Sequence, residues 1–136
     1  MARIQLSTGR LNSDFVRRVA ELSGQDLLAC YQCGKCSAGC PAAGSMNVLP
    51  SQIIRLVQLG LEDEVLQSET IWYCASCLTC VARCPKGVDL ARVMEAIRKI
   101  ALERYGDHIL VTKISPDELA EWPQQAFIGG FRKYTR

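Results

Sequence analysis

Aromatic residues are scarce, 7% of the 136-residue chain, and histidine occurs once, at position 108. A core so poor in large rings must be built from Leu, Ile, Val and Ala, with something further adding to its cohesion. Neither sign of charge dominates. Sixteen Lys and Arg stand against fourteen Asp and Glu, for a formal net charge of +2. The chain therefore lacks the basic field on which nucleic acid binding depends. It has no G-x-G-x-x-G dinucleotide turn and no G-x-x-x-x-G-K-[ST] phosphate loop. One histidine outside any motif leaves no Ser/His/Asp set to assemble, and His108 is assigned no role. The start of the chain shows no apolar h-region of about 7–15 residues. The longest uncharged run, residues 36–54, is broken by Pro41, Pro50 and several Gly and Ser, so no membrane span is expected. The expected compartment is a reducing cytoplasm, where many cysteines point to metal or catalysis before disulfides.

Cysteine is what the chain has in excess: eight residues, in two runs. Cys30, Cys33, Cys36 and Cys40 are followed by Pro41; Cys74, Cys77, Cys80 and Cys84 are followed by Pro85. Both runs read Cys-x2-Cys-x2-Cys-x3-Cys-Pro, and one offset of 44 residues maps all five positions of the first onto the second. The pattern is an internal duplication with two half-sites.

The periodicity around the runs is helical. Phe15, Val16, Val19 and Leu22 predict an amphipathic helix over 12–23, stopped by Gly24. Ile53, Ile54, Leu56, Val57 and Leu61 predict a second, opening at Pro50. Leu90, Val93, Met94, Ile97, Ile100 and Ala101 predict a third, capped by Asp89 and stopped by Gly106. Ser115-Pro-Asp-Glu118 is a capping box for a short fourth helix. The only β-leaning run is 109–112. The fold class expected is all-α, with two pseudo-symmetric cluster-binding halves. Residues 1–115 form the cysteine domain, and residues 116–136 a short helix with an extended tail, either frayed or docking Phe127, Phe131 and Tyr134 on a partner protein.

Zinc and iron–sulfur chemistry compete for eight thiols. Four-cysteine zinc sites are built from Cys-x2-Cys pairs well apart in sequence, and have no use for a third cysteine two residues further on. A cubane does, because a tight loop with Cys at every third position can wrap one face of it. The Cys-x2-Cys-x2-Cys-x3-Cys-Pro run is the bacterial-type ligation signature for 4Fe-4S clusters, in which the fourth cysteine serves the other cluster. The expected ligands are Cys30, Cys33, Cys36 and Cys84 for one cluster, and Cys74, Cys77, Cys80 and Cys40 for the other. Lys35, Lys86 and Arg83 lie beside ligands and are candidates for tuning the potential, since positive charge favours the reduced form. Ile71, Trp72 and Tyr73 are read as an apolar cover, and Gly34, Gly39, Gly44 and Gly87 as points of turn or close approach. Two oxidised clusters on eight thiolates lower the net charge by about four, to near −2.

The runs 30–41 and 72–85, set among helices, resemble those of the C subunit of heterodisulfide reductase, over about residues 10–105. The resemblance implies an α-helical ferredoxin fold, two 4Fe-4S clusters and a place in a larger complex. There the chain would be a non-catalytic subunit that carries electrons from a flavin-containing A-like subunit to a catalytic, disulfide-reducing B-like subunit. The Cys-Cys-Gly motif of the B subunit does not occur here. The same module serves fumarate, glycolate and glycerol-3-phosphate oxidoreductases, aromatic acyl-CoA reductase and sulfur-oxidising complexes. A zinc-bound structural module is the reading from a different class.

Overall fold

The computed structural model describes residues 8–11, 13–105, 114–125 and 128–129. No strand occurs among them. The chain divides into two compact units, residues 1–104 and 105–136. The first unit holds α1 (Thr8–Leu11), α2 (Asp14–Ser23), α3 (Lys35–Ala38), α4 (Pro50–Gln58), α5 (Glu62–Leu66), α6 (Thr70–Tyr73), α7 (Thr79–Arg83) and α8 (Leu90–Tyr105), with 3-10 turns at Leu27–Ala29 and Ala43–Ser45. The second holds α9 (Pro116–Glu121).

The helix ends follow from local chemistry. Gly24 takes φ 64°, the left-handed turn that an L side chain resists, and its N–H closes α2 on the Ala20 carbonyl. Pro50 opens α4, where its missing N–H costs nothing, and Gln52 Oε1 accepts the Leu49 N–H at 2.9 Å. Asp89 caps α8 by accepting from the Arg92 N–H at 3.0 Å. In the second unit, Ser115 and Glu118 form the expected reciprocal box: Ser115 Oγ accepts the Glu118 N–H at 3.3 Å, and Glu118 Oε2 accepts the Ser115 N–H at 3.1 Å.

The core of the first unit is aliphatic. Val19 from α2, Ile53 and Val57 from α4, Val65 from α5, Ile71 from α6, and Val93, Met94 and Ile97 from α8 are all buried. Burial of each such side chain is worth about 1.5–3 kcal/mol. Cys30, Cys36, Cys74, Cys80 and Cys84 pack against this cluster from its edge, so the cysteine loops rest on the core. Of the apolar cover, Ile71 belongs to the core, whereas Trp72 and Tyr73 are about half exposed.

The duplication is structural as well as sequential. At the offset of 44, Gln32 and Ser76 both have positive φ, 63° and 51°, and Gly34 and Leu78 likewise, 76° and 62°. Gly34 and Leu78 each precede a short helix, α3 and α7, and those two helices pack on each other. Beyond the runs the correspondence continues at an offset of 40. Pro50 opens α4 as Leu90 opens α8, and Ile53, Ile54, Val57 and Leu61 are buried as are Val93, Met94, Ile97 and Ala101. The second connection from run to helix is four residues shorter, with five residues between Cys84 and Leu90 against nine between Cys40 and Pro50. Gly106, His108, the run 109–112 and the tail aromatics 127, 131 and 134 lie outside the described residues.

Candidate metal centres

All eight cysteines are free thiols. They stand around two neighbouring hollows. One, open to solvent and of about 360 Å³, is lined by Cys30, Cys33, Cys36, Cys84 and Cys80, on a floor that includes Ile54, Val88 and Leu90. The other, likewise open to solvent, takes in about 440 Å³ of empty space and is lined by Cys40, Cys74, Cys77 and Cys80, against Met46, Leu90 and Met94. Three cysteines of each run thus share a hollow with the fourth of the opposite run. Cys80 and Leu90 border both. Among the described residues no three Cys, His, Asp or Glu donors close on a point as a single ion requires. The thiols surround a volume instead, and a cubane takes its four thiolates at its corners. The donor set and its arrangement fit that group.

Folding produces this arrangement locally. In each run a residue of positive φ turns the chain just before α3 or α7, whose first turn carries the third cysteine. Ser37 Oγ donates to Ser51 Oγ at 2.8 Å and accepts the Ser51 N–H at 2.9 Å, pinning α3 to the start of α4. The Gln58 amide donates to the carbonyls of Leu27, at 2.7 Å, and Cys30, at 3.1 Å. In the second half the Arg98 guanidinium donates to the carbonyls of Ile71 and Cys74, both at 3.0 Å.

The thiols differ electrostatically. Cys33 is held below the usual thiol range, chiefly by a hydrogen bond from the Lys35 backbone. Cys77 is held below it by hydrogen bonds from Thr79, side chain first and then backbone. Burial pushes Cys36 up, and burial with the charge of Cys74 pushes Cys80 up to about 11. Donors also reach sulfur: Gln32 Nε2 lies 3.4 Å from Cys30 Sγ, and the Val88 N–H donates to Cys84 Sγ at 3.3 Å. Of the three candidate tuning cations, Lys35 lines the first-run hollow, Lys86 stands 5.9 Å from the centre of the Tyr31 ring, and the Arg83 side chain lies across Gly39. Gln58 and Arg98 are not singled out by sequence. A glutamine on the buried face of α4 is the signal that points to the first of them.

The family model for the 4Fe-4S dicluster domain matches residues 26–88. The chain is 38% identical over 102 residues to the iron-sulfur C subunit of CoB–CoM heterodisulfide reductase from Methanopyrus kandleri, covering 69% of this chain and 53% of the relative. It is 38% identical over 112 residues to the C 2 iron-sulfur subunit of the same enzyme in Methanocaldococcus jannaschii, covering 76% and 59%. It is 33% identical over 93 residues to the C subunit of the H(2):CoB-CoM heterodisulfide,ferredoxin reductase of Methanothermobacter marburgensis, covering 68% and 50%. The chain therefore spans about half the length of the curated relatives it matches. No helix among the described residues is long and apolar enough to cross a membrane. With its all-α scaffold, its duplicated eight-thiol motif and this pattern of similarity, the chain belongs to the family of heterodisulfide reductase C subunits, built on a domain for two 4Fe-4S clusters.

Proposed function

We propose that the chain is the electron-transfer iron–sulfur subunit of a larger redox complex, passing electrons between a flavin-containing A-like subunit and a catalytic, disulfide-reducing B-like subunit. In this reading Cys30, Cys33, Cys36 and Cys84 hold one cluster, and Cys74, Cys77, Cys80 and Cys40 the other. The observation that carries it is the exchange of fourth cysteines between the two hollows. Bound there, each cluster supplies one-electron transfer. The chain's own residues supply thiolates, N–H donors to sulfur and an aliphatic floor that limits water. Lys35, Lys86 and Arg83 adjust the potentials. Residues 1–115 are the two-cluster module, and residues 116–136 a short helix with a tail that is either frayed or partner-docking, in a protein of the cytoplasm.

The names of the relatives support a heterodisulfide reductase-type complex over the fumarate or glycolate type. The test is metal analysis of anaerobically purified protein with ligand variants. About eight irons per chain with absorbance near 400 nm are expected. Cys84→Ser should damage the cluster of Cys30, Cys33 and Cys36, and Cys40→Ser that of Cys74, Cys77 and Cys80. Damage on the same run as the substituted cysteine overturns the exchange. Two zinc ions in a colourless folded chain overturn the redox reading altogether.

A further inference from the structure

Gln58 and Arg98 occupy one position in the two halves of the duplication. Each lies at the same place in its helix, at the offset of 40, and each clamps the carbonyl of the first cysteine of its run together with the carbonyl three residues before it. The hydrogen-bond geometry is matched and the charge is not. The first clamp is a neutral amide. The second is a guanidinium, a cation with a rigid fork of donors. Arg98 Nη2 also lies 3.3 Å from Ser76 Oγ, and among the described residues no carboxylate pairs with Arg98.

We infer that Arg98 is a redox-positioning residue of the second half-site alone, raising the reduction potential of the cluster held by Cys74, Cys77 and Cys80 above the value a neutral clamp would give. The inference rests on the two-cluster reading above. Adding one electron to an oxidised cubane adds one negative charge beside the run. A fixed cation on the Cys74 carbonyl stabilises that charge and opposes the carbonyl dipole. Arg98 is half-buried, so water and salt screen it less than they screen the exposed Lys35, Lys86 and Arg83. Lys35 also lines the first-run hollow, but its flexible ammonium is solvated, whereas Arg98 is fixed by three acceptors. No bond in the chain forms or breaks in the step. One electron enters each cluster, supplied in the experiment by dithionite.

The test is a potentiometric titration of the loaded chain, followed by electron paramagnetic resonance, on wild type, Arg98→Gln and Arg98→Lys. Iron is counted first. A count far below eight in wild type defeats the two-cluster reading, and this inference falls with it; eight irons with an unmoved midpoint defeat the inference alone. With eight irons present, R98Q should lower one midpoint so that its reduced-to-oxidised ratio falls at least tenfold at fixed potential, about 59 mV for one electron. The other midpoint should stay within threefold, and R98K should restore the first. The signal that moves must be the one that Cys77→Ser alters. If neither midpoint moves, or both move together, or the signal altered by Cys33→Ser is the one that moves, the inference is overturned. Should R98Q fail to retain its clusters, Gln58→Arg keeps the test open. A cation placed on the first clamp should raise the midpoint of the signal that Cys33→Ser alters, its reduced-to-oxidised ratio rising at least tenfold at fixed potential, and an unmoved midpoint overturns the inference.

Discussion

The side chain of Arg83 lies across the backbone of Gly39, so that a Cβ on Gly39 would stand 2.5 Å from Arg83 Cδ. The two positions are equivalents at the offset of 44, each immediately before the fourth cysteine of its run. One half of the repeat has kept a residue without a side chain, and the other half uses the space. The bare position and the long side chain belong to one contact, made where α3 and α7 pack together.

Gly39→Ala should therefore displace Arg83 and not the backbone. The neighbour is the flexible part of an exposed side chain, and Gly39 has φ −105°, which alanine adopts freely. The cost should be below about 1 kcal/mol. In an Arg83→Ala background it should disappear, because the two residues then share no contact. Rates of cluster bleaching on heating, across the four-variant cycle, measure this coupling. Additive effects would show that Arg83 does not occupy the space over Gly39.

Thr70→Val should be far more harmful than its near-identical shape suggests. Thr70 is fully buried, and its hydroxyl donates to the Val48 carbonyl at 2.6 Å while accepting the Val48 N–H at 3.1 Å. Valine fills the volume and leaves both backbone groups unpaired, at about 1–3 kcal/mol. Thr70→Ser keeps the hydroxyl and should recover most of that difference. Thermal melts of the three loaded proteins read it directly.

Removing iron should unfold the cysteine loops while leaving part of α2, α4 and α8 helical. The loops lie at the edge of the aliphatic core, with Cys33 and Cys77 exposed, and little else buries them. Metal-binding energy at such sites is folding energy. Hydrogen exchange after chelation should show protection lost over 30–41 and 74–85 before it is lost over α8. Uniform loss along the chain would show that the clusters hold the whole unit, not the loops alone.

Much of this is legible in the sequence, for reasons particular residues make plain. The runs and their offset of 44 need no structure. Neither do the ends of α2, α4 and α8, because Gly24, Pro50 and Asp89 act locally. The continuation of the repeat into the helices is hidden, because the four-residue shortening between Cys84 and Leu90 moves the offset from 44 to 40. With it is hidden Arg98, whose sequence neighbours show only amphipathic helix, whereas Gln58 is marked by being a glutamine on the buried face of α4. Leu78 at φ 62° is also beyond reach, since its twin Gly34 signals the turn and a leucine does not. Trp72 and Tyr73 read as cover in the sequence and are exposed in the fold, while Ile71 is the residue of the three that the core buries.

Each hollow draws its last cysteine from the far half of the chain. Either half alone brings only three of its own run to its site and must find a second half to finish it. Joining the two in one polypeptide replaces a bimolecular encounter with an intramolecular one, at an effective concentration on the order of millimolar for a short tether. Completion of both sites then becomes a first-order event, indifferent to how dilute the protein is.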